Sequence, residues 1–297
     1  MRVLLTAMLL LTTGMAQADF KEGITAYSQG DFIAALKEFR SLAEEGFAPA
    51  QYNVGVMHAR GQGVPPDDAE AVKWYRLAAE QDHAEAQFIL GVRYHQGRGV
   101  PQDDAEAVKW FRRAAEQGHA AAQHNLGVMY EQGRGMSKDD AEAVKWYHRA
   151  AEQGVALAQY SLGVRYAQGQ GVPQDNAEAV KWYRLAAEQD FAPAQYSLGI
   201  MYAKGQGMPQ DDTEAVKWYR KAAEQGFTPA QYHLGIKYDQ GQGVPQDHVQ
   251  AYLWFSLAAA HHDKLAAQRC DELAGIMTPE QITEAQRLIK ELQPKEP

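Results

Sequence analysis

The chain has 297 residues, a formal charge of −9, 45% hydrophobic residues, and a single cysteine, Cys270. That much apolar content in a chain this long supports a large buried core. The acidic balance, spread without blocks of like charge, argues against nucleic acid or an anionic membrane as the main partner. With one thiol, the chain cannot form an internal disulfide, so stability must come from burial.

Residues 1–18 resemble an export leader. Arg2 supplies a positive start, Val3 to Leu11 form a short apolar core, and Ala16-Gln17-Ala18 is a small-x-small cleavage site. The mature chain is expected to start at Asp19, with its charge moving from −9 to −10 as Arg2 is removed. The apolar run is shorter than the roughly 20 residues needed to span a membrane, and no later run approaches that length.

Residues 19–49 read as a degenerate first unit. Asp31, Ala35, Phe39, Ala43 and Gly46 stand 36 residues before Asp67, Ala71, Tyr75, Ala79 and Asp82. Glu38 occupies the place that holds Trp later, as suits a solvent-facing end. Six regular units then fill residues 50–265, starting at Ala50, Ala86, Ala122, Ala158, Ala194 and Ala230. The six tryptophans, Trp74, Trp110, Trp146, Trp182, Trp218 and Trp254, follow one another at intervals of 36 residues. A fixed period of this kind marks a stacked-repeat architecture.

Each unit predicts two helices. Helix A covers roughly Ala50 to Ala59 in the first unit. It holds Gly55, which recurs as Gly91, Gly127, Gly163, Gly199 and Gly235. A mid-helix glycine costs about 1 kcal/mol against alanine, so six of them imply close approach of a neighbour. Gly61 and Pro65 end the helix. Asp67 opens helix B, with Glu70 three residues on. The pair recurs in every unit, with Gln250 replacing Glu in the last, and predicts a reciprocal capping box. Ala71, Trp74, Tyr75, Ala78 and Ala79 form a buried helical stripe. Residues 266–292 add a half-unit and a capping helix. That helix is opened by Thr278-Pro279-Glu280-Gln281 and carries Ile282, Ala285, Leu288, Ile289 and Leu292 on one face. Residues 293–297 read as a frayed tail.

The recurring pattern A-x-Y-x-L-G-x-x-Y-x-x-G-x-G-V-P-x-D-x-x-x-A-x-x-W-Y-x-x-A-A-x-x-G resembles that of the Sel-one-like repeat (SLR) family, relatives of tetratricopeptide repeats. It covers residues 50–265 almost without exception. The resemblance implies an all-α, right-handed α/α superhelical solenoid acting as a scaffold or adaptor. Similar bacterial proteins are often exported and act in the cell envelope or toward host factors. One cysteine-rich branch is linked to penicillin binding and weak β-lactamase activity, and this chain lacks those cysteines.

Catalytic motifs are absent. The sequence holds no S-x-x-K, K-T-G, G-x-S-x-G, H-E-x-x-H or Walker-type loop. The Gly-x-Gly loops follow a helix and lack the lysine of a phosphate cradle, so they read as turns. His261-His262-Asp263 reads as a surface turn. His83 and His119 share a column without further ligands, so no metal site is expected. Asp103-Asp104 and its copies lack calcium-loop spacing and read as helix caps. The tryptophans could stack on sugars, but their place on the stripe favours core packing. Cys270 falls in the column of Val54 and Leu90, which predicts a buried, inert thiol.

The variable columns carry the binding prediction. Positions 53, 57 and 60 share one helix A face. By analogy with related helical repeats it lines a concave groove. It holds Asn53, Met57 and Arg60, with Arg93, Asn125, Met129, Arg165, Met201, Lys204, His233 and Lys237 in the equivalent columns. Soft Met alternating with long cations suits an extended peptide with apolar and acidic groups. A neutral surface inherited from duplication of a two-repeat block fits the same alternation. The expected protein is an exported, periplasmic or secreted, non-catalytic scaffold without cofactor, metal or nucleic acid. The alternative is a peptidoglycan- or β-lactam-binding protein with weak hydrolase activity.

Overall fold

The computed structural model describes residues 17–292. The leader and cleavage site expected in residues 1–18 lie outside them except for residues 17 and 18, as does the tail 293–297. Among the described residues every regular element is a helix. α1 covers 17–28. α2 (Phe32–Glu44) completes the degenerate unit. The regular units follow as helix A and helix B in turn: α3 (Ala48–Arg60) and α4 (Asp68–Glu80), α5 (Ala84–Gln96) and α6 (Asp104–Glu116), α7 (Ala120–Gln132) and α8 (Asp140–Glu152), α9 (Ala156–Gln168) and α10 (Asn176–Ala187), α11 (Ala192–Lys204) and α12 (Asp212–Glu224), α13 (Thr228–Gln240) and α14 (His248–Ala260). α15 (Lys264–Ala274) and α16 (Pro279–Leu292) end the array. The protein is an all-α solenoid of tandem 36-residue repeats.

The described residues divide into two compact units, with the boundary between Arg149 and Ala150. In the first, α3 packs on α4 and α5 on α6 within repeats, while α4 packs on α5 and α6 on α7 between them. The second repeats the scheme with α9 on α10, α11 on α12 and α13 on α14, joined by α10 on α11 and α12 on α13. Each helix therefore buries one face within its repeat and another on the next, so the core continues along each stack.

The core follows the repeat columns. On helix A, Ala86 and Leu90 and their counterparts Ala122 and Leu126 are fully buried. On helix B the centre of the stripe is the residue after the tryptophan: Tyr75, Phe111 and Tyr147 in the first unit, Tyr183, Tyr219 and Phe255 in the second. Those rings explain the mid-helix glycines. A Cβ on Gly91 would lie 2.7 Å from Phe111 Cδ1 and 3.2 Å from the Ala107 carbonyl oxygen. Gly91→Ala therefore sets about 1 kcal/mol of helix propensity against a displaced ring. A net loss of about 1–3 kcal/mol is expected from overpacking. Thermal melting measures it, and a raised Tm would show that the ring yields freely.

The tryptophans depart from expectation. Trp146 and Trp254 are buried, but Trp74, Trp110, Trp182 and Trp218 are only half-buried. They lie at the edge of the stripe, where a residue one turn on can cover the indole. Arg113 stands over Trp110 at 4.8 Å, Arg149 over Trp146 at 4.5 Å and Lys221 over Trp218 at 4.6 Å from the ring centroid.

The capping box is half formed. Asp67 Oδ1 accepts the Glu70 N–H at 2.9 Å, as expected. The return bond is missing: the Asp67 N–H donates to the His58 carbonyl at 2.9 Å, and Glu70 accepts from Lys73 at 2.7 Å. The loop back from helix A supplies a better-placed acceptor for the cap N–H, which frees Glu70 for an i,i+3 ion pair. The full reciprocal box appears at α16. There the Thr278 N–H donates to Gln281 Oε1 at 2.9 Å and the Gln281 N–H to Thr278 Oγ1 at 3.3 Å.

Helix A ends on a left-handed glycine, such as Gly97 with φ 67°. The second glycine of the Gly-x-Gly loop has a separate role. Gly99 has φ +77°, and a Cβ there would lie 2.2 Å from the Asp68 carbonyl oxygen of the preceding repeat. The loop is thus an inter-repeat contact as well as a turn. At the C-terminal end α16 packs on α14. Leu288 and Ile289 lie against Leu253 and Trp254, and Ala285 joins Ala251 and Phe255.

Candidate functional site

Helix A uses two overlapping faces, and position 57 decides between them. Positions 53, 57 and 60 lie in one i, i+4, i+7 row, but so do 50, 54 and 57. The structure places 57 in the second row. Met57, Met129 and Met201 are buried in the core beside the fully buried Ala50, Ala122 and Ala194. Arg165, in the same column, is also buried and hydrogen-bonds Gln170. The expected surface column of Met57, Arg93, Met129, Arg165, Met201 and Lys237 is therefore corrected: it is core, with cationic tips reaching outward. Arg93 Nη1 pairs with Asp68 at 2.6 Å and Lys237 Nζ with Asp212 at 2.7 Å, each acid lying at the start of the preceding repeat's helix B.

The remaining expected site residues are partly accessible. Asn53, Asn125 and His233 are half-buried, and Arg60 and Lys204 are exposed. Asn53 Nδ2 donates to the Pro49 carbonyl at 2.8 Å, and His233 Nδ1 lies 3.0 Å from the Pro229 carbonyl oxygen. Asn53 thus serves its own helix, whereas His233 Nδ1 also lies 3.3 Å from the Tyr196 hydroxyl on α11.

The open face of helix A is shifted by one position, to 52, 56, 59 and 60. In the first unit it forms a cleft of about 340 Å³ between α3 and α5. The apolar lining is Tyr52, Val56, Ile89 and Val92, and the cations are Arg60, Arg93 and Arg98. Arg93 and Arg98 share one carboxylate: Asp68 Oδ1 faces Arg93, and Oδ2 accepts from Arg98 Nε at 2.8 Å. The Arg98 bond, aided by Arg93, holds the Asp68 carboxyl below its usual pKa. Arg60 meets no acid here; its Nη1 donates to the Tyr27 hydroxyl at 3.3 Å. Burial pushes Tyr75, on the cleft wall, up to about 12. It stays a neutral phenol.

Beside the cleft, histidine caps two helices. His83 Nδ1 accepts the Ala86 N–H at 3.2 Å and its ring stacks on Tyr52 at 5.1 Å. His119 caps α7 the same way, stacks on Phe88 at 4.6 Å, and its Nε2 lies 2.9 Å from Glu85. An acceptor Nδ1 requires a neutral ring. Burial lowers the His83 pKa below 6.5. The unfolded chain therefore takes up this proton first, and stability falls as pH drops. The contribution of His83 is complete above about pH 6.5 and is lost as pH falls through the lowered folded value. His83→Asn, which caps without titrating, is expected to flatten the fall of Tm between pH 7 and pH 5. An unchanged slope would assign the effect to other histidines.

One functional column escaped the sequence reading. Gln51, Gln87, Gln123, Gln159, Gln195 and Gln231 are buried polar residues. Gln87 Nε2 donates to the Ala79 carbonyl at 3.0 Å, satisfying an orphan acceptor at the end of helix B, and Gln117 Nε2 bridges to Gln87 Oε1 at 2.7 Å. The 36-residue recurrence of glutamine was the available signal. The ladder stops at Gln231, whose Oε1 is buried without a partner, because His261 stands where the bridging glutamine falls in the other repeats. Cys270 is half-buried rather than enclosed like its leucine counterparts. Its Sγ lies 3.4 Å from Ser256 Oγ, and burial raises its pKa.

A metal is not provided for: the described residues contain no group of three or more His, Cys, Asp or Glu side chains placed to hold one. No helix among them is long and apolar enough to cross a membrane.

Comparison with known proteins agrees with this architecture. The Sel1 repeat family model matches residues 48–83, 84–119, 120–155, 156–191, 192–227 and 228–263. A protective antigen from uropathogenic Escherichia coli displaying an SLR fold is 34% identical, with a TM-score of 0.70 over 96% of this chain and 70% of the antigen. A Sel1 repeat protein from Oxalobacter formigenes is 36% identical, with a TM-score of 0.71 over 81% of this chain and 96% of its own. A search of curated proteins returns no match. With six consecutive matches in register and two structures above 30% identity, the chain belongs to the Sel1 repeat family.

Proposed function

We propose that this protein is an exported scaffold, working without catalysis of its own in the periplasm or outside the cell, that holds a polypeptide along the open helix A face. Sel1 repeat proteins generally mediate protein–protein interaction, and the repeat scaffold is generally non-catalytic. The observation that carries the reading is the cleft between α3 and α5, apolar on its walls and cationic on its rim, on a chain of charge −9. A local basic site on an acidic molecule attracts an acidic segment while the remaining surface repels. The leader-like residues 1–18 support export.

Site-specific photo-crosslinking tests the surface. A benzophenone side chain at Gln96, which is exposed and lines the cleft, is expected to capture polypeptide in intact cells. The same group at Lys73, exposed on helix B, is expected to capture none. Equal capture at both positions, or capture at Lys73 alone, overturns the groove. Export is tested by the intact mass of the periplasmic or secreted protein, expected to begin at Asp19. A membrane-bound species retaining Met1 overturns it.

A further inference from the structure

Resting on the reading that this face binds a polypeptide, we propose that the α3–α5 cleft is an anchor subsite for a peptide carboxylate, an Asp or Glu side chain beside an apolar residue. The argument is one of charge count and position. Three guanidiniums, Arg60, Arg93 and Arg98, line this cleft, and one carboxylate, Asp68, answers them. Asp68 gives one oxygen to each of Arg93 and Arg98, while Arg60 bonds the Tyr27 hydroxyl and not Asp68. A guanidinium carries five N–H donors, and most of those on Arg60 and Arg98 remain open to a ligand. The cleft thus holds a surplus of cation and of planar donor geometry that matches a carboxylate.

The surplus is largest in this repeat pair. At the three positions equivalent to Arg60, Arg93 and Arg98, the next repeat of the first unit has Gln96, Met129 and Arg134. There Arg134 is matched by Asp104, at 3.0 Å, which also faces His95 at 2.7 Å. In the second unit one set is Gln168, Met201 and Gln206, with no charge. The other is Lys204, Lys237 and Gln242, where Lys237 is matched by Asp212 at 2.7 Å and Lys204 is left over, a surplus of one flexible ammonium against two guanidiniums in the α3–α5 cleft. The columns that keep the fold repeat, whereas this charge pattern does not.

The walls select the kind of anion. Tyr52, Val56, Ile89 and Val92 present apolar surface within the same cleft. Inorganic anions and acidic sugars leave that surface uncovered, whereas an apolar side chain next to Asp or Glu covers it. Tyr52 stacks on His83 at 5.1 Å, which supports its ring on the cleft wall.

The test is selection of a phage-displayed random dodecapeptide library on the full mature chain, followed by fluorescence anisotropy with labelled winners. Enriched peptides are expected to carry Asp or Glu adjacent to a large apolar residue. Changing that acid to its amide is expected to weaken binding about tenfold, as for loss of one charge-assisted hydrogen bond. On Arg60→Gln the same exchange is expected to matter less than about twofold, because the cation it answers is gone. Arg98→Gln repeats the measurement at an independent exposed residue, and circular dichroism confirms that both variants stay folded. Winners displaced by Gln96→Trp but indifferent to the acid-to-amide exchange keep the groove and overturn the anchor. Winners that feel neither change, or no winners at all, overturn the groove reading and the anchor with it. Arg60-dependent binding of hexagalacturonate without peptide enrichment assigns the cleft to an acidic glycan and also overturns the proposal.

Discussion

Trp146→Ala is expected to destabilise the first unit by about 3–5 kcal/mol, the range for deleting a buried large aromatic. Trp146 is 6% exposed and packs with Phe111, Leu126 and Met129 in one cluster, with Val92 and Tyr94 at its edge. Those residues come from α5, α6 and α7, so the cavity opens between elements that cannot close it without shifting the stack. Trp146→Phe is expected to cost about half as much or less. The indole N–H is buried without a hydrogen-bond partner, and phenylalanine removes that penalty together with part of the area. Urea titration followed by circular dichroism measures both. The traces should be fitted with a repeat-by-repeat treatment, because a solenoid need not unfold in one step. A loss below about 1 kcal/mol for the alanine variant would show that the first unit does not rely on this ring.

The same ring shows how far the sequence could be read. Recurrence at 36 residues located the helices, the Asp67 cap, the Gly61 stop and the buried alanines. Each is a packing requirement that every copy must meet. Recurrence gives the position of a side chain on its helix but not the depth of its neighbours. Trp74 and Trp146 therefore look alike in sequence and differ in burial. The missing half of the capping box had a similar cause. The acceptor for the Asp67 N–H is the His58 carbonyl, brought back by the loop, and backbone acceptors leave no mark on composition. The buried glutamine column was missed although its signal was present, since it recurs without a break from Gln51 to Gln231.

The candidate site was legible only in part. The variable columns pointed to helix A, and Arg60 and Arg93 do line the cleft. Position 57, however, belongs to two helical rows at once, and periodicity alone cannot say which faces the core. The fully buried Leu90 fixes the answer, because position 54 and position 57 lie one turn apart and share a face. Nothing in the pattern singled out the apolar wall residues Tyr52, Val56 and Val92, because an apolar side chain that borders an opening recurs in the same way as one in the core.

That correction reverses the expectation for Arg93. On an exposed face, Arg93→Glu would change stability by no more than about 0.5 kcal/mol. The Arg93 side chain is in fact 11% exposed and pairs with Asp68 at 2.6 Å, with its guanidinium 6.0 Å from the Tyr75 ring centroid. Glutamate there would remove the partner and place a second carboxylate beside the first. Removing one member of a buried pair typically costs about 3–5 kcal/mol, because the other charge is left unanswered. Asp68 keeps Arg98 and is itself about a third exposed, which brings the expected loss down to about 2–3 kcal/mol. Arg93→Met provides the control, since the equivalent residue of the next repeat is Met129, buried in the core. It is expected to lose less than the glutamate variant, because the methionine stem fills the same channel without adding charge. Asp68→Asn in the Arg93→Glu background is expected to restore part of the stability by removing the repulsion. Denaturation midpoints of the single and double variants decide the matter. Full additivity would place Arg93 and Asp68 out of contact in solution.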